Sequence, residues 1–235
     1  MSPNPLLTVD NLSKRFGALK ALDGLSITLA PGEILGLVGP NGSGKTTAIN
    51  VISGVYAPDH GAIHFNGRPV GGLPAHRLAR LGINRTFQVP KPFKGLTVRE
   101  NLEVAAVYSH VGREKVDQNL ERLELAAFAE REAASLNSAQ QKRLDLARAL
   151  ATQPRLLLVD ELGAGLNPSE LQQMADTLKA IARAGVALLV VEHLLGFLQQ
   201  LTQRVVVMNA GREIFEGPLD AAARDPQVID VFLGA

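Results

Sequence analysis

The segment Gly39-Pro40-Asn41-Gly42-Ser43-Gly44-Lys45-Thr46-Thr47 directly follows the apolar run Ile34-Leu35-Gly36-Leu37-Val38, and this junction constrains the fold more than any other part of the chain. It matches the phosphate-loop spacing G-x-x-x-x-G-K-S/T. The glycines let the backbone wrap an anion so that successive amides point inward, and Lys45 brings a full positive charge to the β- and γ-phosphates. Thr46 offers a hydroxyl to Mg²⁺. A helix is expected to start near Gly44, and its positive N-terminal dipole favours the same polyanion. The spacing also occurs in ordinary glycine-rich turns. Here an apolar strand precedes it and Thr47-Ala48-Ile49-Asn50-Val51-Ile52 follow, so strand, loop and helix are expected in that order, with a nucleoside triphosphate as ligand.

The flanking sequence supplies the rest of an α/β protein. Before the loop, Leu6 to Val9 and Gly24 to Leu29 are short apolar stretches broken by turn residues, which predicts a small β-rich region. Gly61 to Gly67, with a tight turn at Asn66-Gly67, predicts a further strand that pairs with it. Leu96 to Tyr108 and Glu114 to Ala129 place apolar residues at helical spacing, so a mostly helical insert is expected over about 95–150. The apolar runs Leu156 to Val159 and Val186 to Val191, separated by the helical Ser169 to Ala184, follow the β-α-β grammar of a buried parallel sheet. A last strand is expected from Arg204 to Met208, before the turn Asn209-Ala210-Gly211.

Composition removes several classes of function. A net charge of +1 gives no reason to expect nucleic acid or an anionic membrane surface as partner. The absence of cysteine excludes disulfides and thiolate metal sites and fits a reducing compartment. Met1-Ser2-Pro3-Asn4-Pro5 lacks a basic segment followed by an apolar one, so no secretory leader is expected. The longest strictly apolar run, Val186 to Val191, is far too short to cross a bilayer, so any membrane role is expected to be peripheral.

Chemistry beyond the loop is expected where strands end. Leu156 to Asp160 followed by Glu161 sets carboxylates at the C-terminal end of a buried strand, where ligands bind in open α/β sheets. Asp160 is suited to hold Mg²⁺ through water. Glu161, taken as the next residue on the strand, would face the other way and orient or deprotonate the attacking water. The run Ala187 to Val191 ends in Glu192-His193, which brings an imidazole to the same edge, where it can reach the γ-phosphate. Gln88, in Arg85-Thr86-Phe87-Gln88, is neutral and both donates and accepts, so it can ligate Mg²⁺ through its oxygen and sense the γ-phosphate.

In this order the segments resemble the ATP-binding domain of ABC transporters over nearly the whole chain. Gly39 to Thr46 is similar to that family's Walker A motif, Gln88 to its Q-loop glutamine, Leu136 to Gln140 to its signature segment and Leu156 to Asp160 to Walker B. Glu161 then falls at the catalytic base, Ala164 to Asn167 at the D-loop and His193 at the switch histidine, and Phe16 fits the aromatic that stacks on adenine. The resemblance implies a P-loop NTPase core of ABC ATPase type with an N-terminal antiparallel β-subdomain and a helical subdomain. The whole chain, 1–235, would form one ATP-binding domain with a helical subdomain inserted at about 90–140. Asn11 to Gly17, Leu81 to Gln88, Gly165 to Pro168 and Val191 to His193, with the tail Asp225 to Ala235, resemble ATPase subunits of branched-chain amino acid uptake systems.

One segment departs from the family. Its signature reads close to Leu-Ser-Gly-Gly-Gln, whereas here it is Leu136-Asn137-Ser138-Ala139-Gln140. In the family this segment closes over ATP held by the opposing subunit, so Asn137, Ser138, Ala139 and Gln140 would face a partner's nucleotide. Ala139 replaces a glycine whose backbone angles and close approach to phosphate a Cβ can obstruct.

The resemblance thus implies Mg²⁺-dependent ATP hydrolysis at a dimer interface, homomeric or heteromeric. Integral-membrane permease subunits and an extracytoplasmic substrate-binding protein would belong to the same system, with the ATPase on the cytoplasmic face of the membrane. A regulatory subunit with a weakened composite site, or an ATPase for urea or another cargo, is the alternative.

Overall fold

A computed structural model describes residues 4–107 and 112–233. Expectations that reach Met1 to Pro3, Tyr108, or Gly234 and Ala235 lie outside the described residues. The chain opens with β1 (Leu7–Phe16) and β2 (Leu19–Leu29), which pair antiparallel with register shifts around Asn11 and Leu12. β3 (Ile34–Val38) feeds the phosphate loop into α1 (Lys45–Ile52). β4 (His60–Phe65) then pairs with β1, as expected, and turns through Asn66-Gly67 into β5 (Arg68–Pro69). Both turn residues have positive φ, 52° and 74°, the geometry that makes Asn-Gly favourable in a two-residue hairpin. The resulting sheet has the order β2-β1-β4-β5.

After α2 (Ala75–Leu81) and β6 (Ile83–Arg85) comes the helical stretch, with α3 (Val98–Val107), α4 (Arg113–Arg122) and α5 (Ser138–Ala151). α3 starts at Val98 rather than Leu96 because Thr97 and Glu100 bond each other's backbone amides, a reciprocal cap that fixes the helix start. The second helix stops at Arg122, short of the expected Ala129, where Glu124 takes a left-handed φ of 56°. The remaining elements are β7 (Leu156–Asp160), α6 (Pro168–Arg183), β8 (Ala187–Val191), α7 (Leu195–Leu201), β9 (Arg204–Asn209), β10 (Arg212–Pro218), α8 (Leu219–Ala222) and α9 (Pro226–Leu233).

The central sheet has the order β10-β9-β3-β8-β7-β6, with β10 antiparallel at one edge and the other strands parallel. Its apolar runs are continuous because both faces are covered. Leu156 and Leu158 of β7, with Leu189 and Val191 of β8, face a core shared with α1 and the antiparallel sheet. Leu157 and Val159, with Leu188 and Val190, face a second core built with α5, α6 and α7. Strand alternation therefore places each strand between two apolar layers and leaves its C-terminal end as the place where polar chemistry begins.

Candidate functional site

The parallel strands β3, β6, β7 and β8 end together on one edge of the sheet, with Leu37 opposite Val191, Asp160 opposite Val191 and Arg85 opposite Leu158. Beyond those ends lie the loop 39–47, the segment Thr86 to Gln88, Glu161, and Glu192-His193. This is the side on which open α/β sheets bind ligands.

The loop after β3 is built around glycine. A Cβ on Gly39, at φ 148°, would lie 2.2 Å from the Met208 carbonyl oxygen, and one on Gly44, at φ 106°, would lie 2.5 Å from that of Ala21. The floor is therefore backbone from distant parts of the chain. The β9–β10 turn closes it, since the Gly211 amide donates to the Ser43 carbonyl at 2.9 Å and the Asp23 amide donates to the Gly211 carbonyl at 2.8 Å. Gly44 caps α1 without a side chain and no acidic residue occupies its first turn, which leaves the positive end of the helix for an anion. Lys45 is buried and its Nζ donates to the carbonyls of Gly39 and Pro40, both at 2.8 Å. Burial pushes its pKa down, against the pull of Glu161 and Asp160. Pro40 is half-buried, Asn41, Gly42 and Thr46 are exposed, Ser43 is buried, and Thr47 is half-buried in the first turn of α1.

Asp160 is the last ladder residue of β7 and is buried. Its amide donates to Thr86 Oγ1 at 3.3 Å, and its carboxylate lies 3.5 Å from the Arg85 guanidinium. Burial raises its pKa, with Arg85 and Lys45 opposing and Glu161 reinforcing the rise. Arg85 also donates to Asn50 Oδ1 of α1 at 2.6 Å, so it ties the helix after the phosphate loop to the β6 and β7 ends.

Glu161 corrects the strand-alternation reading. It lies one residue beyond β7 and adopts a left-handed φ of 48°, so its direction is set by a turn rather than by the strand pleat. Its amide still donates to the Val191 carbonyl at 2.9 Å. One carboxylate oxygen accepts from Gln88 Nε2 at 2.6 Å, and the other is 2.7 Å from His193 Nε2. Gln88, Glu161 and His193, drawn from segments after three different strands, thus meet at one carboxylate. Phe16 is exposed at the end of β1 and packs edge-on against Tyr56, with ring centroids 5.1 Å apart.

Leu136 to Gln140 lies at the start of α5. Asn137 is the N-cap, its Oδ1 accepts from the Gln140 amide at 2.9 Å, and Gln140 Oε1 accepts from the Asn137 amide at 3.0 Å. Ser138 is exposed and Ala139 half-buried in the first turn. The expectation that Ala139 loses a glycine-only backbone conformation is corrected here, because position 139 is inside the helix, where alanine is the most favourable residue. Only the bulk of its Cβ toward a facing phosphate remains.

Several site residues escaped the sequence reading. Arg85 is a half-buried cation at the end of the short strand β6, and Tyr56 is an aromatic just past α1. Lys142 and Glu192 are buried charges that hold the segment after Glu161. Lys142 Nζ donates to the Leu162 carbonyl at 2.9 Å and the Ala164 carbonyl at 2.5 Å, and Glu192 Oε1 accepts from the Gly163 amide at 2.6 Å. Burial raises the pKa of Glu192. Charged residues interrupting otherwise buried helix and strand positions were the available signal.

These residues fit a Mg²⁺-nucleotide. A Cβ at Gly39 or Gly44 would collide with the backbone that floors the loop, so only glycine lets it wrap this closely there, and α1 presents an uncapped positive end. No group of three or more His, Cys, Asp or Glu able to hold a metal occurs among the described residues. No helix among the described residues is long and apolar enough to cross a membrane.

A family model described as ABC transporter matches residues 22–164. The probable branched-chain amino acid transport ATP-binding protein LivG of Archaeoglobus fulgidus is 39% identical, covering 98% of this chain and 96% of that protein. An ATP-binding cassette of an ABC transporter, crystallised in its ADP conformation, is 32% identical with a TM-score of 0.90, covering 99% of this chain and 100% of that one. A dimeric cassette in a post-hydrolysis state bound to ADP and Pi is 25% identical with a TM-score of 0.82, covering 91% of this chain and 98% of that one. With its phosphate loop, strand-end carboxylates and two-sheet architecture in the same frame, the chain belongs to the ABC transporter family, as an ATP-binding subunit with the fold of an ABC ATPase cassette.

Proposed function

We propose that this chain hydrolyses ATP at a subunit interface and drives import of branched-chain amino acids. The observation that carries the reading is the Glu161 carboxylate, held by Gln88 and His193 on the sheet edge that also bears the phosphate loop. Lys45 and the backbone amides of the loop from Asn41 to Thr47 bind the phosphates. Thr46, Asp160 and Gln88 hold Mg²⁺, which when bound neutralises phosphate charge. Glu161 orients the attacking water and takes its proton, and His193 steadies both the carboxylate and the γ-phosphate side of the site. Phe16, braced by Tyr56, stacks on the adenine. Catalysis on this scheme is positional and electrostatic.

The chain acts as one ABC unit, 1–235, whose helical subdomain at about 90–140 meets integral-membrane permease subunits on the cytoplasmic face of the inner membrane. A second ATPase subunit, the same or different, contributes a signature segment to this site, while Asn137, Ser138, Ala139 and Gln140 contribute to the partner's. An extracytoplasmic binding protein delivers the amino acid. The branched-chain cargo is supported by the relative from Archaeoglobus fulgidus and by its nearly full-length coverage.

The test is Glu161→Gln, assayed for phosphate release and for binding of a fluorescent ATP analogue. Turnover is expected to fall at least about a hundredfold with nucleotide affinity retained. Undiminished turnover would remove Glu161 from the base role. Uptake of labelled leucine by vesicles carrying the assembled transporter tests the cargo, and transport of an unrelated solute alone would overturn it.

A further inference from the structure

Lys142, Asp145 and Arg148 follow one i, i+3, i+6 ridge of α5. Lys142 and Asp145 are buried, and Arg148 is partly so. Unpaired charges in such positions would be strongly unfavourable, yet each of the three bonds the backbone of a loop, and Asp145 and Arg148 also pair with each other. Lys142 Nζ reaches the carbonyls of Glu161, Leu162 and Ala164 at 3.3, 2.9 and 2.5 Å. Asp145 Oδ2 accepts from the Phe87 amide at 2.8 Å, next to Gln88. Arg148 donates to the Lys91 carbonyl at 2.7 Å, farther along the same loop, and lies 3.7 Å from Asp145. Glu192 anchors the first of these loops from the opposite side through the Gly163 amide.

We propose that this charged ridge of α5 is a positioning device that holds the loops of Glu161 and Gln88 in common register, so that the two side chains meet. The left-handed backbone at Glu161 needs such an anchor, because that conformation is unfavourable for a residue with a side chain. Every polar group of Glu161 is thereby fixed, with its amide on Val191, its carbonyl on Lys142 and its carboxylate oxygens on Gln88 and His193. Displacing a reacting group by about 1 Å costs on the order of a hundredfold in rate. The proposal rests on Glu161 as the base, and its test separates the two ideas.

Steady-state ATP turnover of the full chain is measured for Lys142→Met, Lys142→Arg and Glu161→Gln. Lys142→Met is expected to lower kcat at least about tenfold with KM for ATP changed less than about twofold, and Lys142→Arg to recover most of it. In a Glu161→Gln background, Lys142→Met should have no further effect. Wild-type kcat in Lys142→Met, alongside an inactive Glu161→Gln, overturns the proposal and leaves the base assignment standing. An active Glu161→Gln overturns the base assignment instead. Should Lys142→Met fail to fold, hydrogen exchange of the unmodified chain decides: the Phe87 amide, which donates to Asp145 of the ridge, is expected to be protected, and exchange at free-loop rates overturns the proposal.

Discussion

Gly39 shows how little latitude the phosphate loop has at single positions. Its Cβ position is 2.2 Å from the Met208 carbonyl, whereas that of Gly42, at φ 79°, meets nothing within 4 Å. Gly42→Ala should therefore cost only the left-handed penalty, about 1 kcal/mol. Gly39→Ala must move β9 as well, so its urea midpoint should fall further and nucleotide titration should show lost affinity. Equal effects of the two substitutions would contradict the packing argument. The loop glycines and Lys45 were legible in the sequence because the motif encodes local geometry. The bonds that Gln88 and His193 make to Glu161 were not, because they join segments far apart in the chain, and the turn at Glu161 replaced the strand alternation that the preceding run implied.

Among the elements, α5 has the most to coordinate. Its first turn is closed by the reciprocal bonds of Asn137 and Gln140, so Asn137→Ala should lower stability by about 1 kcal/mol. Ala139→Gly is expected to destabilise the helix by up to about 1 kcal/mol. A gain in turnover despite that loss would identify the Ala139 methyl as an obstruction at the facing nucleotide, and unchanged turnover would show that the segment tolerates it. Thermal melts and phosphate-release assays of both variants separate the two effects. This helix was expected only as part of the mostly helical insert over about 95–150, without bounds of its own. The ridge formed by Lys142, Asp145 and Arg148 was not legible, because surface charges share that spacing and only the tertiary fold buries these three against loops.

At the scale of the whole molecule, buried carboxylates add a contribution to stability that declines as pH rises. Burial holds the Glu192 pKa above its ordinary 4.5, while the amides of Gly163 and His193 and the Lys142 charge pull it back and Glu161 raises it further. The folded chain then keeps a proton there at pH values where the unfolded chain has lost it. The stabilising contribution is full below 4.5 and declines as pH rises through the folded value. Denaturation midpoints across the acidic range should thus show wild-type stability falling relative to Glu192→Gln as pH increases from 4.5. Parallel curves would refute the assignment. Asp145 and Asp160, raised for the same reason, remain in both proteins and cancel in the difference.

Parallel-sheet grammar and strand-end carboxylates made the general architecture readable, since apolar runs covered on both faces have few other solutions. Closure of the phosphate loop by the β9–β10 turn was invisible, because Ser43 and Gly211 meet only in the finished fold. That closure has a consequence during synthesis. The loop leaves the ribosome early, but the backbone that floors it, Met208 to Gly211, leaves late. A nascent chain carrying every residue of the phosphate motif still lacks a formed nucleotide pocket. A ligand that binds only the closed loop adds its binding free energy to the finished fold alone, so nucleotide is expected to raise the denaturation midpoint of the full chain.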